Sequence, residues 1–187
     1  MALETELNRW INLEKVSLLA LDQSVHGGKI LTQIIRGFGI RNVRTFSKIS
    51  DARDALRTGS FDLIIADPAA TEGDEDGIEL VRWLRRQDRN INRFAPVILV
   101  SGHSTPSMVR RSRDSGANFF VAKPLTATTL LERILWVARD KRPFVEVGEY
   151  LGPDRRFKEK GPPEGAAGRR TNDDTDQHPE EQQKGAA

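Results

Sequence analysis

Cysteine is absent from the 187 residues. Disulfides, thiolate metal sites and cysteine nucleophiles are therefore excluded. No apolar run is long enough to make a membrane-spanning helix. Neither charge sign is in excess: 29 Lys and Arg face 27 Asp and Glu, a formal net charge of +2. That is too little to argue for nucleic acid or an anionic membrane as partner. The first fourteen residues are polar and acidic, unlike a signal peptide, so a cytoplasmic location is the default expectation. From Lys158 onward there is no Ile, Leu, Val, Met, Phe, Trp or Tyr. Such a segment buries too little apolar surface to offset its ordering entropy, so residues 158–187 are expected to be a disordered tail. The three histidines, His26, His103 and His178, do not stand at metal-ligand spacing.

What the chain does have is an alternation of short apolar runs and helical patterns. Leu3, Leu7, Trp10 and Ile11 share one side of a predicted leading helix within residues 1–14. Val16 to Leu21 reads as a buried strand ending at Asp22. Ile30, Leu31, Ile34, Ile35 and Phe38 mark a helix stopped by Gly39. A weak second strand covers 41–46. Ser50 is expected to cap a short helix through Ala52, Ala55 and Leu56. Phe61 to Ala66 is the strongest strand and ends at Asp67. An acidic loop, Thr71 to Asp76, leads into a helix holding Ile78, Leu80, Val81 and Leu84. Pro96 to Val100 forms a fourth strand before Ser101–Gly102. A basic helix carries Arg110, Arg111 and Arg113. Asn118 to Ala122 is the fifth strand, before Lys123–Pro124. The last helix runs from about Ala127 to Arg139.

Five strands alternating with helices imply right-handed parallel crossovers and a doubly wound α/β sheet. Such sheets place their site at the carboxyl ends of the strands. Asp22, Asp67, Ser101 and Lys123 all fall there. The expected organisation is a leading helix over 1–14, one domain over 15–141, an extended arm over 142–157 and the tail. Gly27–Gly28 after the first strand lacks the remainder of a dinucleotide-binding fingerprint.

The runs Leu18–Gln23, Phe61–Asp67, Val100–Gly102 and Phe120–Pro124 together resemble the receiver domains of two-component response regulators. The most specific pieces are Asp-Leu-Ile-Ile-Ala-Asp at 62–67 and Val-Ala-Lys-Pro at 121–124. The resemblance implies a flavodoxin-like sheet of order 2-1-3-4-5, counting the five strands above. It implies a signalling protein rather than an enzyme. Asp67 would accept a phosphoryl group from a histidine kinase or phosphotransfer protein. Mg²⁺ would sit among Asp22, Gln23, Asp67 and the Ala69 backbone carbonyl, with Lys123 approaching the phosphoryl oxygens. Ser101 and Phe120 would carry the switch to a downstream protein at the face bearing Arg110, Arg111 and Arg113. The segment Tyr150 to Phe157, with its Gly-Pro-Asp-Arg-Arg, resembles a short motif in the tails of some receivers and is a candidate docking element.

Three departures from the family pattern stand out. Gln23 replaces the usual second acid, which implies weaker Mg²⁺ binding, since losing a unit charge beside a cation costs on the order of several kcal/mol before desolvation offsets part of it. The loop after Asp67 lacks the usual Met-Pro pair and is longer, with Glu72, Asp74, Glu75 and Asp76 available to restore negative potential or to draw the ion elsewhere. Ala69 offers no polar side chain to orient a hydrolytic water. These departures keep open a second reading, a degenerate receiver serving as a constitutive interaction scaffold. A phosphohydrolase using Asp22 as nucleophile fits worse, because Ser24 stands where a second acid is wanted.

Overall fold

The computed structural model describes residues 13–155. The tail 158–187 and the leading helix, apart from Leu13 and Glu14 at its end, lie outside the described residues. A single 3-10 turn, Leu13–Lys15, brings the chain in and buries Leu13.

Parallel strands β1 (Ser17–Leu21), β2 (Asn42–Phe46), β3 (Leu63–Ala66), β6 (Val97–Ser101) and β7 (Phe119–Ala122) form one sheet in the order β2-β1-β3-β6-β7. This is the 2-1-3-4-5 order expected from the five runs, renumbered because two short strands intervene. Those are β4 (Thr71–Glu72) and β5 (Glu75–Asp76), an antiparallel hairpin where the acidic loop was expected. Helices α1 (Val25–Gly37), α2 (Ile49–Thr58), α3 (Gly77–Arg85), α4 (Pro106–Asp114) and α5 (Ala127–Ala138) make the crossovers.

Both sheet faces are covered, which is why the central strands read as unbroken apolar runs. Successive side chains go to opposite faces. Leu19, Leu21, Ile64, Ala66, Val97 and Leu99 meet α2 and α3 in one core. Leu18, Ala20, Leu63, Ile65, Ile98 and Val100 meet α1 and α5 in the other. A leucine or isoleucine buried this completely contributes roughly 1.5–3 kcal/mol, so the strands are fixed well before their ends do any chemistry.

Four helices start on side-chain caps that accept backbone N–H groups: Ser24, Asp76, Thr105 and Thr126. Helix α2 does not. Its cap position is Lys48, with no side-chain bond. Ser50, expected as the cap, lies inside the first turn and gives its hydroxyl and its N–H to Glu72.

The arm beyond α5 is a second antiparallel hairpin, β8 (Phe144–Val147) and β9 (Tyr150–Pro153), in the same compact unit as the sheet. Leu151, Gly152 and Pro153 are buried. Arg85 of α3 is 2% exposed beneath it. Its Nε donates to the Gly116 carbonyl at 3.2 Å, and its Nη1 donates to that of Arg93. The Phe144 ring lies over the guanidinium at 5.0 Å. Burial pushes the Arg85 pKa down to about 9, so it stays charged at neutral pH. The part of the candidate docking segment that is described, Tyr150 to Arg155, thus has its Leu-Gly-Pro portion packed into the body.

Candidate functional site

Three backbone bonds carry the sheet ladder one step past its strands. The Asp22 N–H donates to the Phe46 carbonyl at 3.0 Å, the Asp67 N–H to that of Leu21 at 2.8 Å, and the Lys123 N–H to that of Ser101 at 2.7 Å. The ends of β1, β3 and β7 are thereby held on one rim, and their next side chains converge. Lys123 Nζ donates to Asp22 Oδ2 at 3.0 Å and to Asp67 Oδ2 at 2.8 Å. The Asp22 side chain is 5% exposed and that of Asp67 15%. Asp22 Oδ1 accepts the Ser24 N–H at 2.9 Å, and Asp67 Oδ1 accepts that of Ala69 at 2.8 Å. Burial works against the Lys123 ammonium, yet the hydrogen bonds and charges of Asp67 and Asp22 outweigh it and raise its pKa. Lys123 is therefore a fixed cation at physiological pH. The three groups open onto a cavity of about 210 Å³ whose other walls include Ile30, Leu31 and Ile34 of α1.

The remaining expected residues divide. Ser101 ends β6 on the same rim and is fully buried, with its Oγ accepting the His103 N–H at 3.1 Å. Ala69 lies in the turn that follows Asp67. Gln23 is exposed, its Nε2 donating to the Thr71 carbonyl at 3.3 Å. Phe120 is half-buried against the α2–α3 core and pairs in register with Leu99. On α4, Arg110 is exposed, Arg111 Nη2 pairs with Asp76 Oδ2 at 2.7 Å, and Arg113 lies 3.8 Å from Asp114.

Three of the four hairpin acids are engaged by other partners. Glu72 takes both donors of Ser50, whose backbone and side-chain bonds hold its carboxyl below the usual range. Glu75 pairs with Arg53. Asp76 Oδ1 caps α3 through Ile78 and Glu79 while its Oδ2 holds Arg111. These bonds tie the hairpin to α2, α3 and α4.

Among the described residues no three Asp, Glu, His or Cys side chains gather as a metal set. What converges is two carboxylates, each oxygen holding one hydrogen bond and keeping a second lone-pair direction. Hard oxygen donors of this kind, few in number, fit a cation such as Mg²⁺ that retains most of its waters. The residues fit the ion, with less charge than a three-acid set would bring. Chemically, one half-buried ammonium between two carboxylates offers a nucleophilic oxygen at Asp67 and a positive charge beside it.

Sequence reasoning weighed Ser24 only as a missing acid and Gly27 only as part of a nucleotide-binding turn, yet the two bracket the Asp22 carboxylate. The signal was present as Ser-x-x-Gly after the strand, an N-cap spacing that puts the helix start against the acid.

Comparison with known proteins is consistent with this geometry. Residues 18–135 match the model of the response regulator receiver domain. The chain is 31% identical over 140 residues to the swarming motility regulation protein RssB of Serratia marcescens, covering 73% of this chain and 59% of that one. It is 27% identical over 122 residues to the chemotaxis protein CheY of Pseudomonas aeruginosa, covering 64% and 93%. In fold it resembles the chemotaxis response regulator CheY4 of Vibrio cholerae, with a TM-score of 0.58 at 24% identity, covering 65% of this chain and 98% of that one. The chain thus spans about three fifths of the first relative and nearly all of the second. With the strand order, the acid-bearing rim and a family match over most of the described residues in agreement, the chain belongs to the receiver domains of two-component response regulators.

Proposed function

We propose that this receiver accepts a phosphoryl group on Asp67 from a histidine kinase or phosphotransfer protein, and signals through a phosphorylation-dependent change of its protein-binding face. One observation carries the reading: Asp67 Oδ2 and Asp22 Oδ2 share the single ammonium of Lys123 at the carboxyl rim of the sheet. In the proposed step an Asp67 carboxylate oxygen attacks the phosphorus of a phosphohistidine. The P–N bond breaks, the imidazole keeps that electron pair, and an acyl phosphate remains on Asp67. Transfer of this kind needs mainly positioning and charge neutralisation. Lys123 supplies a point charge to the phosphoryl oxygens. Ser101, on the neighbouring strand end, would donate its hydroxyl to the modified side chain after leaving the His103 N–H.

Asp22, Gln23, Asp67 and the Ala69 carbonyl would hold Mg²⁺, which would supply further neutralisation of the phosphoryl charge when bound. Gln23 contributes no charge, its Nε2 donating to the Thr71 carbonyl, so weaker binding than in a relative with two adjacent acids is expected. Output would run through Ser101 and Phe120 to the face of α4, β7 and α5. There Arg110 and Arg113 are exposed to a downstream partner, while Arg111 is held by Asp76. The domain proposed for this role covers 15–141, with the β8–β9 hairpin packed onto it.

Acetyl phosphate labelling of the wild type beside Asp67→Asn tests the reading. The wild type should label in Mg²⁺ and the variant should not. Equal labelling of both removes Asp67 as the acceptor, and no labelling of either returns the scaffold reading.

A further inference from the structure

The first turn of helix α1 holds Gly27 and Gly28, beside the acid that follows β1. Glycine inside a helix costs about 1 kcal/mol relative to alanine, so the pair weakens α1 unless the missing side chains leave room for something. The two glycines face different neighbours. A Cβ on Gly27 would stand 2.8 Å from Asp22 Oδ2 and 3.1 Å from both its Oδ1 and its Cγ. A Cβ on Gly28 would meet Thr45 Cγ2 at 3.1 Å and come no nearer to Asp22 than 3.9 Å, at its Cβ.

We propose that Gly27 is a positioning residue for the phosphoryl-transfer site: its bare α-carbon is the wall against which the Asp22 carboxylate is set. The inference rests on reading Asp22 as an acid of that site. The carboxylate has nowhere to retreat. Its Oδ1 is on the Ser24 N–H, its Oδ2 is on Lys123, and its side chain is 5% exposed. The helix cannot easily back away, because the Gly27 N–H is pinned on Ser24 Oγ at 3.1 Å and the Gly28 N–H on the Ser24 carbonyl at 2.8 Å. A methyl group at position 27 therefore displaces Asp22 from Ser24, from Lys123, or from both. The same methyl group at position 28 leaves it in place.

The test compares Gly27→Ala with Gly28→Ala in the full chain. Alanine favours the helix at both positions, and Gly28→Ala adds only the Thr45 contact, so a merely helical role predicts unchanged Mg²⁺ affinity and an unchanged Ser24–Asp22 bond for both. Gly27→Ala should weaken Mg²⁺ binding by about ten-fold or more, the usual scale for disturbing an outer contact of a metal ligand. In metal-free protein it should also move the Ser24 amide resonance, which reports the bond to Asp22 Oδ1. Gly28→Ala should do neither. Wild-type Mg²⁺ affinity together with an unmoved Ser24 resonance in Gly27→Ala overturns the proposal. Should the wild type itself bind no Mg²⁺, the metal-site reading fails, while the Ser24 resonance still decides the positioning. Should Gly27→Ala fold poorly, it is made again in an Asp22→Ala background, where the clash is gone. Recovery of stability there supports the proposal, and an undiminished loss overturns it.

Discussion

Gly116 and Gly152 meet backbone to backbone: a Cβ on Gly152 would stand 2.7 Å from the Cα of Gly116. A Cβ on Gly116 would in turn collide with the Leu151 carbonyl oxygen. The β8–β9 hairpin can seat itself on the turn before β7 only because neither residue has a side chain. Gly116 also has φ +91°, in the left-handed region.

Alanine at either position should unseat the hairpin. Gly116→Ala is expected to cost about 3 kcal/mol, combining the clash with roughly 1–2 kcal/mol for an L-residue at positive φ. Gly148 is the control. It has φ +57° in the β8–β9 turn, with nothing within 4 Å of a Cβ there. Gly148→Ala should show the backbone term alone. Urea unfolding of the three proteins decides it, and equal losses at 116 and 148 would refute the backbone contact.

Arg85 should resist replacement by lysine more than by methionine. Its fork reaches the carbonyls of Gly116 and Arg93 at once and lies under Phe144. One ammonium cannot span those partners and would still be a buried charge. Arg85→Lys is expected to lose about 2–4 kcal/mol. Arg85→Met leaves the carbonyls short of donors but removes the charge, so it should lose less. Thermal denaturation giving the reverse order would contradict this account of the buried cation.

Asp140 gives a pH dependence of definite sign. Burial alone would raise its pKa, but the Arg142 side-chain and backbone bonds outweigh burial and lower it beneath the ordinary 3.8. A carboxyl with a depressed folded pKa contributes stability above its unfolded value and loses it as pH falls through the folded one. Asp140→Asn should therefore be less stable than wild type at pH 6, with the gap closing below about pH 3.8. A gap that widens on acidification would rule the interaction out as its source.

Lys123→Met should tighten Mg²⁺ binding while slowing labelling at Asp67. Without the ammonium, two carboxylates face each other unneutralised, and a divalent cation no longer competes with Nζ. Solvent at half-buried Lys123 screens the effect, so a gain of about ten-fold, near 1.4 kcal/mol, is the expected scale. Calorimetric titration checks the affinity. Weaker Mg²⁺ binding in the variant would show that the two carboxylates do not act as the ion's holders.

Much of the fold was readable because its signals are local. Phe61 to Ala66 carried the apolar run Leu-Ile-Ile-Ala after Asp62, and β3 occupies those last four residues. The helical spacing of Leu130, Ile134 and Leu135 placed α5 within a residue of its observed end. The β8–β9 hairpin had a local signal as well, since Val147-Gly148-Glu149-Tyr150 sets a glycine between two strand-forming residues. What could not be read were pairings across long separations. Ser50 looked like a cap until Glu72, 22 residues on, took its hydroxyl. Asn92 carries no local signal at all, yet it is 1% exposed, accepts the Phe61 N–H and donates to the carbonyls of Leu56 and Gly59.

The sequence alone determined the order of strands and helices and put an acid, a serine and a lysine at strand ends, because periodicity and the polarity break at a strand terminus are properties of neighbours along the chain. Tertiary structure alone decided that Lys123 lies between Asp22 and Asp67, that Glu72, Glu75 and Asp76 are engaged by Ser50, Arg53 and Arg111, and that Gln23 Nε2 donates to Thr71. A hydrogen-bond partner is chosen by which distant segments the packed sheet brings within about 3 Å, and that distance has no counterpart in residue order.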